Sequence, residues 1–211
     1  MSIDYRKYKN YEKYLRHQSK KFDIGFSKKI KKFMPEHFPN SVKSFEKRIN
    51  GFKDYIKQGK VLCLGARTGA EVMAFRNLGF PDAIGIDINP GKNNEYVIKG
   101  DFNNMNFEDN SFDTVYSNCI DHAWNLRELS KEIFRVSNKN AILILEIDHL
   151  LNKTNIERKK LLKKDSKYES IMWDDFKDIK KELKEFKFIK SFIGKYDIFL
   201  VAIFKKRGKN I

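Results

Sequence analysis

A chain of 211 residues, 41% hydrophobic and 14% aromatic, is long enough for one α/β domain with a buried core, alone or with an extension, and too apolar for a disordered polymer. Its longest apolar runs, AILILEI and DIFLVAIF, are too short to cross a bilayer as a helix, and the first residues have no apolar stretch of a secretory leader. Two cysteines, Cys63 and Cys119, make neither a disulfide framework nor a zinc pattern; they read as buried thiols of a reducing compartment, with the cytoplasm as the expected location. The net charge of +15 is unevenly spread. Residues 1–60 hold 17 Lys and Arg against 6 Asp and Glu, residues 61–150 hold 8 against 13, and residues 151–211 hold 18 against 9. Basic ends could attract phosphates. However, 34 of the 43 basic residues are lysine, whereas base readout favours the arginine fork. A solvated basic surface is the favoured reading, with nucleic acid as the less favoured one.

In chain order, Tyr5, Tyr8, Tyr11 and Leu15 fall at helical spacing and predict a basic amphipathic helix. Pro35 and Pro39 should break any helix there. Ser41 then reads as an N-cap for a helix presenting Val42, Phe45, Ile49, Phe52 and Ile56 on one face. These features divide the chain into a basic aromatic extension, residues 1–40, and a main domain, residues 41–211. From Lys60 the pattern alternates. KVLCLG predicts a strand, GAEVMAFRNLG a helix stopped by Gly79, and DAIGIDI and EYVIKGD two more strands. SFDTVYSN predicts a fourth strand, followed by the helix WNLRELSKEIFRV with Leu126, Leu129, Ile133 and Phe134 inward, and NAILILEIDH predicts a fifth strand. A helical region is expected over about residues 153–184. EFKFIKSFIG and YDIFLVAIFKK are so closely joined that they predict an antiparallel hairpin. Continuous apolar strands suit a parallel sheet covered on both faces.

The run VLCLGARTGAEV…GIDINPG…GDFNNMNFEDNSFDTVYSNCIDH resembles the class I S-adenosylmethionine-dependent methyltransferases, over about residues 55–150. The closest resemblance is to small single-domain members with a Gly-Ala-Arg-Thr-Gly loop. It implies an α/β, Rossmann-like fold: a seven-stranded, mostly parallel sheet with a C-terminal antiparallel β-hairpin and helices on both faces. The implied cofactor is S-adenosylmethionine, released as S-adenosylhomocysteine.

The residues carry their own chemistry beside that resemblance. In an open α/β sheet, ligands sit beyond the carboxyl ends of the strands at the switch point. Gly65 and Gly69 flank the first such turn, where a missing side chain lets a ligand reach the backbone. A dinucleotide loop would need glycine at positions 67 and 70, where Arg67 and Ala70 stand. Bulky Arg67 argues against a pyrophosphate on that turn; S-adenosylmethionine has none. Ala66 lies in the same loop. The family's usual acid before the loop is replaced by Cys63, so Glu71 is the candidate to meet the cofactor's ammonium. Arg67 either pairs with its carboxylate or faces water. Asp87, ending the second strand, can accept both ribose hydroxyls, with Ile88 beside it. The resemblance assigns Asp101 to the adenine amino group, or else Asp101 caps a helix, and Phe102 lines the ring.

Ser117 and Asn118, after the fourth strand, are placed against cofactor and acceptor. Next to them, Asp121 and His122 are the catalytic candidates. Imidazole ordinarily titrates near neutrality and can take a proton from a hydroxyl. Asp121 could do so too, or hold a helix start. Asp148–His149 is a second pair at the same rim. For both pairs a structural role is equally open. No metal ligand set is expected. The chain is therefore expected to transfer a methyl group to oxygen or nitrogen of a small-molecule or glycan-type acceptor, with the N-terminal segment part of the acceptor pocket or its lid. The alternatives are an RNA methyltransferase using the basic N-terminus and a non-catalytic nucleoside-binding module. Neither acceptor identity nor oligomeric state is legible.

Overall fold

The computed structural model describes residues 3–23, 26–91, 94–148, 168–194 and 199–208, with the side chains of residues 21–36 outside that description. Strand β1 (Asp4–Tyr5) is followed by helices α1 (Tyr11–Asp23) and α2 (Phe26–Asn50). The alternating part comprises β2 (Val61–Leu64), α3 (Ala70–Asn77), β3 (Ile84–Asp87), β4 (Val97–Lys99), β5 (Phe112–Ser117), α4 (Leu126–Val136) and β6 (Ser137–Asp148). The chain closes with β7 (Ile171–Met172), α5 (Phe176–Glu182), β8 (Phe186–Ile193) and β9 (Phe199–Lys206).

Seven strands form one sheet in the order β4-β3-β2-β5-β6-β9-β8. Pairings from β4 to β6 are parallel, while β9 runs antiparallel to both β6 and β8. The expected mostly parallel sheet with a terminal hairpin is what forms, and the hairpin inserts β9 beside β6. Strand β2 shows why two cores result. Successive side chains point to opposite faces, so Val61 and Cys63 join one cluster and Leu62 and Leu64 the other. On the first face α2 and α3 bring Val42, Ile49, Phe75 and their neighbours. On the second, α4 and α5 bring Leu126, Leu129, Ile133 and Ile179. Helix α4 is well specified locally: Asn125 accepts from the Glu128 N–H as its N-cap, the first-turn bond a helix otherwise lacks.

Three local expectations are corrected. Tyr5 and Tyr8 are not helical: Asp4–Tyr5 pairs antiparallel with Ile171–Met172, and the helix starts only at Tyr11. Helix α2 runs through Pro35, Pro39 and Ser41, so Ser41 caps nothing and residue 40/41 is no break in the backbone. Each proline removes one helical N–H bond, but the stripe Val42, Ile49 and Phe52 is buried on the sheet, and that packing outweighs local propensity. The expected helix over residues 153–184 is described only from Tyr168, where it gives way to β7 and the short α5. Asp175 caps α5 by accepting from the Lys177 N–H.

Arg48 of α2 clamps the first face. Its Nε donates to Glu146 Oε1 at 3.2 Å and its Nη2 pairs with Oε2 of the same carboxylate, while Tyr116 Oη donates to Oε2 at 2.5 Å. The Phe45 and Phe199 rings lie 4.7 and 4.9 Å from the guanidinium, a cation–π sandwich. No helix among the described residues is long and apolar enough to cross a membrane.

Candidate active site

A cavity of about 60 Å³, open at its mouth, lies at the carboxyl ends of β2, β3 and β5, where the strand order turns from β2 towards β3 on one side and β5 on the other. That is the position physical topology favours for a ligand. Of the residues expected there, Gly65, Arg67, Asp87, Ile88, Asp101, Phe102 and His122 line it. Ala66, Gly69, Glu71, Ser117, Asn118 and Asp121 are not in its lining. Asp148 ends β6, with its side chain outside the described residues, as is His149 altogether.

The glycine turn is built by three left-handed residues. Gly65, Arg67 and Gly69 have φ of +69°, +34° and +83°, a region costly for any residue with a Cβ. A Cβ on Gly65 would stand 2.2 Å from Cys119 Sγ, and one on Gly69 2.5 Å from Tyr96 Cβ. Gly65 N–H donates to the Ile86 carbonyl at 2.8 Å, tying the turn to β3. Arg67 tolerates its positive φ because its N–H donates to Asp87 Oδ2 at 3.2 Å. Asn94 Nδ2 also donates to the Arg67 carbonyl at 3.0 Å. The other oxygen of Asp87 accepts the Asn89 N–H at 2.8 Å. Asp87 thus fastens the loop it faces across the cavity.

Glu71 is buried. Burial first, then the charge of Asp87, pushes its carboxyl up to about 8, against the opposing pull of its own N–H, Arg48 and Arg67. A neutral carboxyl there serves an ammonium less well than the carboxylate expected. Its linkage to stability has a definite sign. The folded state keeps a proton that the unfolded chain releases above about 4.5, so this contribution is complete below that value and lost as pH rises towards about 8. Glu71→Gln is expected to remove that slope. Urea midpoints at about pH 5 and about pH 8.5 should differ less in the variant than in the wild type; an unchanged difference would show that other groups set it.

Four lining residues were missed in the sequence: Tyr14, Gln18, Asn89 and Cys119. Tyr14 and Gln18 belong to α1, which therefore forms part of the cavity wall. Tyr14 Oη donates to the His122 carbonyl at 3.0 Å and accepts from Asn103 Nδ2 at 2.9 Å. Tyr11 Oη donates to Asp101 Oδ2 at 2.5 Å, and Asn103 donates to Oδ1 through its N–H and Nδ2. Tyr8, Tyr11 and Tyr14 surround Trp124, with ring centroids 5.9, 5.2 and 5.4 Å from it. Desolvation comes first in raising the Tyr11 and Tyr14 phenols, followed for Tyr11 by its hydrogen bond to Asp101 and for Tyr14 by the charge of Asp101, so both stay protonated donors. The aromatic periodicity near the N-terminus was a signal for packing, but nothing local tells which surface it meets. Cys119, expected to be buried, is half-exposed, with its Sγ 3.3 Å from the Leu64 carbonyl. Cys63 is buried as expected, and burial pushes its thiol up.

His122 Nδ1 lies 2.8 Å from the Tyr168 carbonyl. A carbonyl only accepts, so Nδ1 carries the proton and the neutral ring keeps its lone pair on Nε2. Asp121 Oδ2 is 3.7 Å from that nitrogen. Among the described residues no three His, Cys, Asp or Glu side chains gather as a metal site would require.

Residues 62–145 match the family model described as a methyltransferase domain. Among solved structures, one chain of the complex between the Haloferax volcanii Trm112 methyltransferase activator and a methyltransferase superposes with a TM-score of 0.69. The match is 13% identical and covers 92% of this chain and 99% of that one. An S-adenosylmethionine-dependent methyltransferase of Thermotoga maritima gives 0.63 at 17% identity, covering 91% and 100%. Another from Methanococcus maripaludis gives 0.58 at 17%, covering 85% and 93%. Such identities establish likeness of fold. No curated protein sequence matches this chain significantly. With the sheet order, the left-handed glycine turn and the family match taken together, the chain carries a methyltransferase domain over residues 62–145, in a fold like that of solved S-adenosylmethionine-dependent methyltransferases.

Proposed function

We propose that the cavity binds S-adenosylmethionine and that the enzyme, working in the cytoplasm, methylates oxygen or nitrogen of a small-molecule or glycan-type acceptor. The observation that supports the acceptor class is that Tyr14 and Gln18 of α1 line the cavity, so that the N-terminal segment forms part of a pocket at the ends of the strands. The residues present fit the cofactor. Gly65 lines the cavity without a side chain, Asp87 offers a carboxylate at the end of β3 for vicinal hydroxyls, and Phe102 and Ile88 give apolar walls. Asp101 keeps accepting capacity on Oδ2 beside Tyr11 for an adenine amino group. Arg67 is the cation available to a carboxylate, and Ser117 and Asn118 lie just behind the rim at the end of β5. When bound, S-adenosylmethionine supplies an already electrophilic sulfonium methyl.

The protein's own work is then alignment, exclusion of water and removal of a proton. Positioning alone accounts for much of such an acceleration. The α1 wall and the Tyr8–Tyr11–Tyr14–Trp124 cluster exclude water. His122 Nε2 receives the acceptor's proton, and Asp121 steadies the imidazolium that results. His122→Ala is expected to slow methyl transfer about 10²- to 10⁴-fold, with S-adenosylhomocysteine affinity changing far less. Equal losses in both would assign His122 to structure.

Label from tritiated S-adenosylmethionine added to an extract should appear in dialysable products. The basic N-terminal segment, 17 cations against 6 anions, supports RNA as a second acceptor. Label in a nuclease-sensitive fraction, with binding that weakens steeply with salt, would replace the first reading by that one.

A further inference from the structure

Resting on that reading, we propose that Tyr11 is a positioning residue for the cofactor: it sets the Asp101 carboxylate so that a single accepting position meets the adenine amino group. The site is thereby selective for adenine over a base carrying oxygen at that place. Tyr11 and Asp101 are 90 residues apart in the chain. Asp101 lines the cavity, whereas Tyr11 and Asn103 stand outside its lining. Both act on a ligand through the carboxylate they hold.

That carboxylate is fixed from two sides. Its two oxygens offer about four accepting positions, and three are filled among the described residues. Oδ1 accepts from the Asn103 N–H at 2.9 Å and from Asn103 Nδ2 at 2.8 Å, and Oδ2 accepts from Tyr11 Oη at 2.5 Å. Asn103 is itself locked. The other hydrogen of its Nδ2 goes to Tyr14 Oη at 2.9 Å, and its Oδ1 accepts the Trp124 N–H at 3.1 Å. A backbone N–H only donates, so that last bond decides which way the amide faces. One position remains, on Asp101 Oδ2 beside the phenol. It takes one N–H, and an exocyclic amino group brings one. A carbonyl at the same place on the base would set oxygen against charged oxygen. A site built to hydrogen-bond a ligand N–H rejects the analogue lacking it far more strongly than an apolar pocket rejects a missing methylene.

Local structure puts the phenol there. Asn10 Oδ1 accepts the Lys13 N–H at 2.9 Å, an N-cap bond that lets α1 open at Tyr11. The Tyr11 ring then packs against Tyr14 and Trp124, with centroids 5.3 and 5.2 Å away, so the hydroxyl has little freedom to swing off Oδ2. Burial, followed by the hydrogen bond to Asp101, raises the phenol, and Tyr11 stays the donor of a charge-assisted bond. Tyr11 lies outside the matched residues 62–145. Selection of the base therefore draws on the N-terminal segment as well as on the methyltransferase domain.

The test titrates the full chain by calorimetry with S-adenosylhomocysteine and with S-inosylhomocysteine, whose base carries oxygen in place of the amino group. The wild type is expected to bind the adenosyl compound about 10-fold or more tightly than the inosyl one. Tyr11→Phe keeps the ring and loses the hydroxyl, and should narrow that ratio about 3-fold or more. Tyr8→Phe loses a hydroxyl of the same aromatic cluster, one bonded to His17 and Ser170 rather than to Asp101, and should leave the ratio as it is. An unchanged ratio in Tyr11→Phe, equal losses for both compounds included, overturns the proposal and leaves Tyr11 a packing residue; so does equal narrowing in Tyr8→Phe. Wild-type binding of S-adenosylhomocysteine, measured first, separates the two levels. Without it the cofactor reading falls and takes this one with it. With it, a wild type that does not discriminate, or a Tyr11→Phe variant that discriminates equally well, overturns this proposal alone.

Discussion

Asp87→Ala is expected to weaken S-adenosylmethionine and S-adenosylhomocysteine binding by about 1.5–3 kcal/mol, roughly 10- to 150-fold, the range for hydrogen bonds to a charged group. Two effects combine. The variant removes the carboxylate proposed to take the ribose hydroxyls, and it removes the acceptor that holds Arg67 N–H at 3.2 Å and Asn89 N–H at 2.8 Å. Without it the left-handed Arg67, at φ +34°, has lost one reason to stay there. Asp87→Asn separates the contributions. It keeps one oxygen for the backbone and loses the charge, so its loss should fall between wild type and alanine. Calorimetry reads the affinity, and susceptibility of the 65–69 turn to proteolysis reads the loop. Wild-type affinity in the alanine variant would remove Asp87 from the cofactor site, and with it the ribose assignment.

The largest stability effect is expected at Arg48. Arg48→Ala should destabilise the fold by about 3–5 kcal/mol, because removing one partner of a buried pair strands the other charge. Glu146 has a side chain only 1% exposed and Arg48 one 14% exposed, so water can hardly replace the guanidinium. For a chain of this size the loss corresponds to roughly 6–20 °C in melting temperature. The charge-free pair Arg48→Met with Glu146→Gln should recover most of it, since the amide oxygen still accepts from Tyr116 and no charge remains buried. A double-mutant cycle in urea measures the coupling. If Arg48→Ala costs less than about 1 kcal/mol, the pair behaves like a surface contact and α2 is held by apolar packing alone.

Much of this protein was already determined by the order of its residues. VLCLG, GIDI and SFDTVYS could become nothing but covered strands, because their apolar runs are continuous and glycine and asparagine turns bound them. The positive φ that Gly65 and Gly69 allow, and the carboxylate at the end of β3, are likewise properties of single residues and their spacing. So the sheet, its terminal hairpin and the β2–β3 wall of the cavity were legible in advance. What was not legible depended on distant partners. The helix through Pro35 and Pro39 exists because its apolar stripe is buried, a gain that no local propensity contains. The short strand Asp4–Tyr5 needs Ile171–Met172, about 167 residues away, to satisfy its backbone. Gln18 is an ordinary polar residue on an amphipathic helix until its Nε2 meets the Tyr168 carbonyl and Ser170 Oγ, 150 and 152 residues away. Glu71 reads as an ion-pair partner until burial raises its carboxyl. Local steric preference wrote the glycine turn into the sequence, whereas the α1 side of the cavity is made of long-range hydrogen bonds and desolvation, which only the folded chain brings into being.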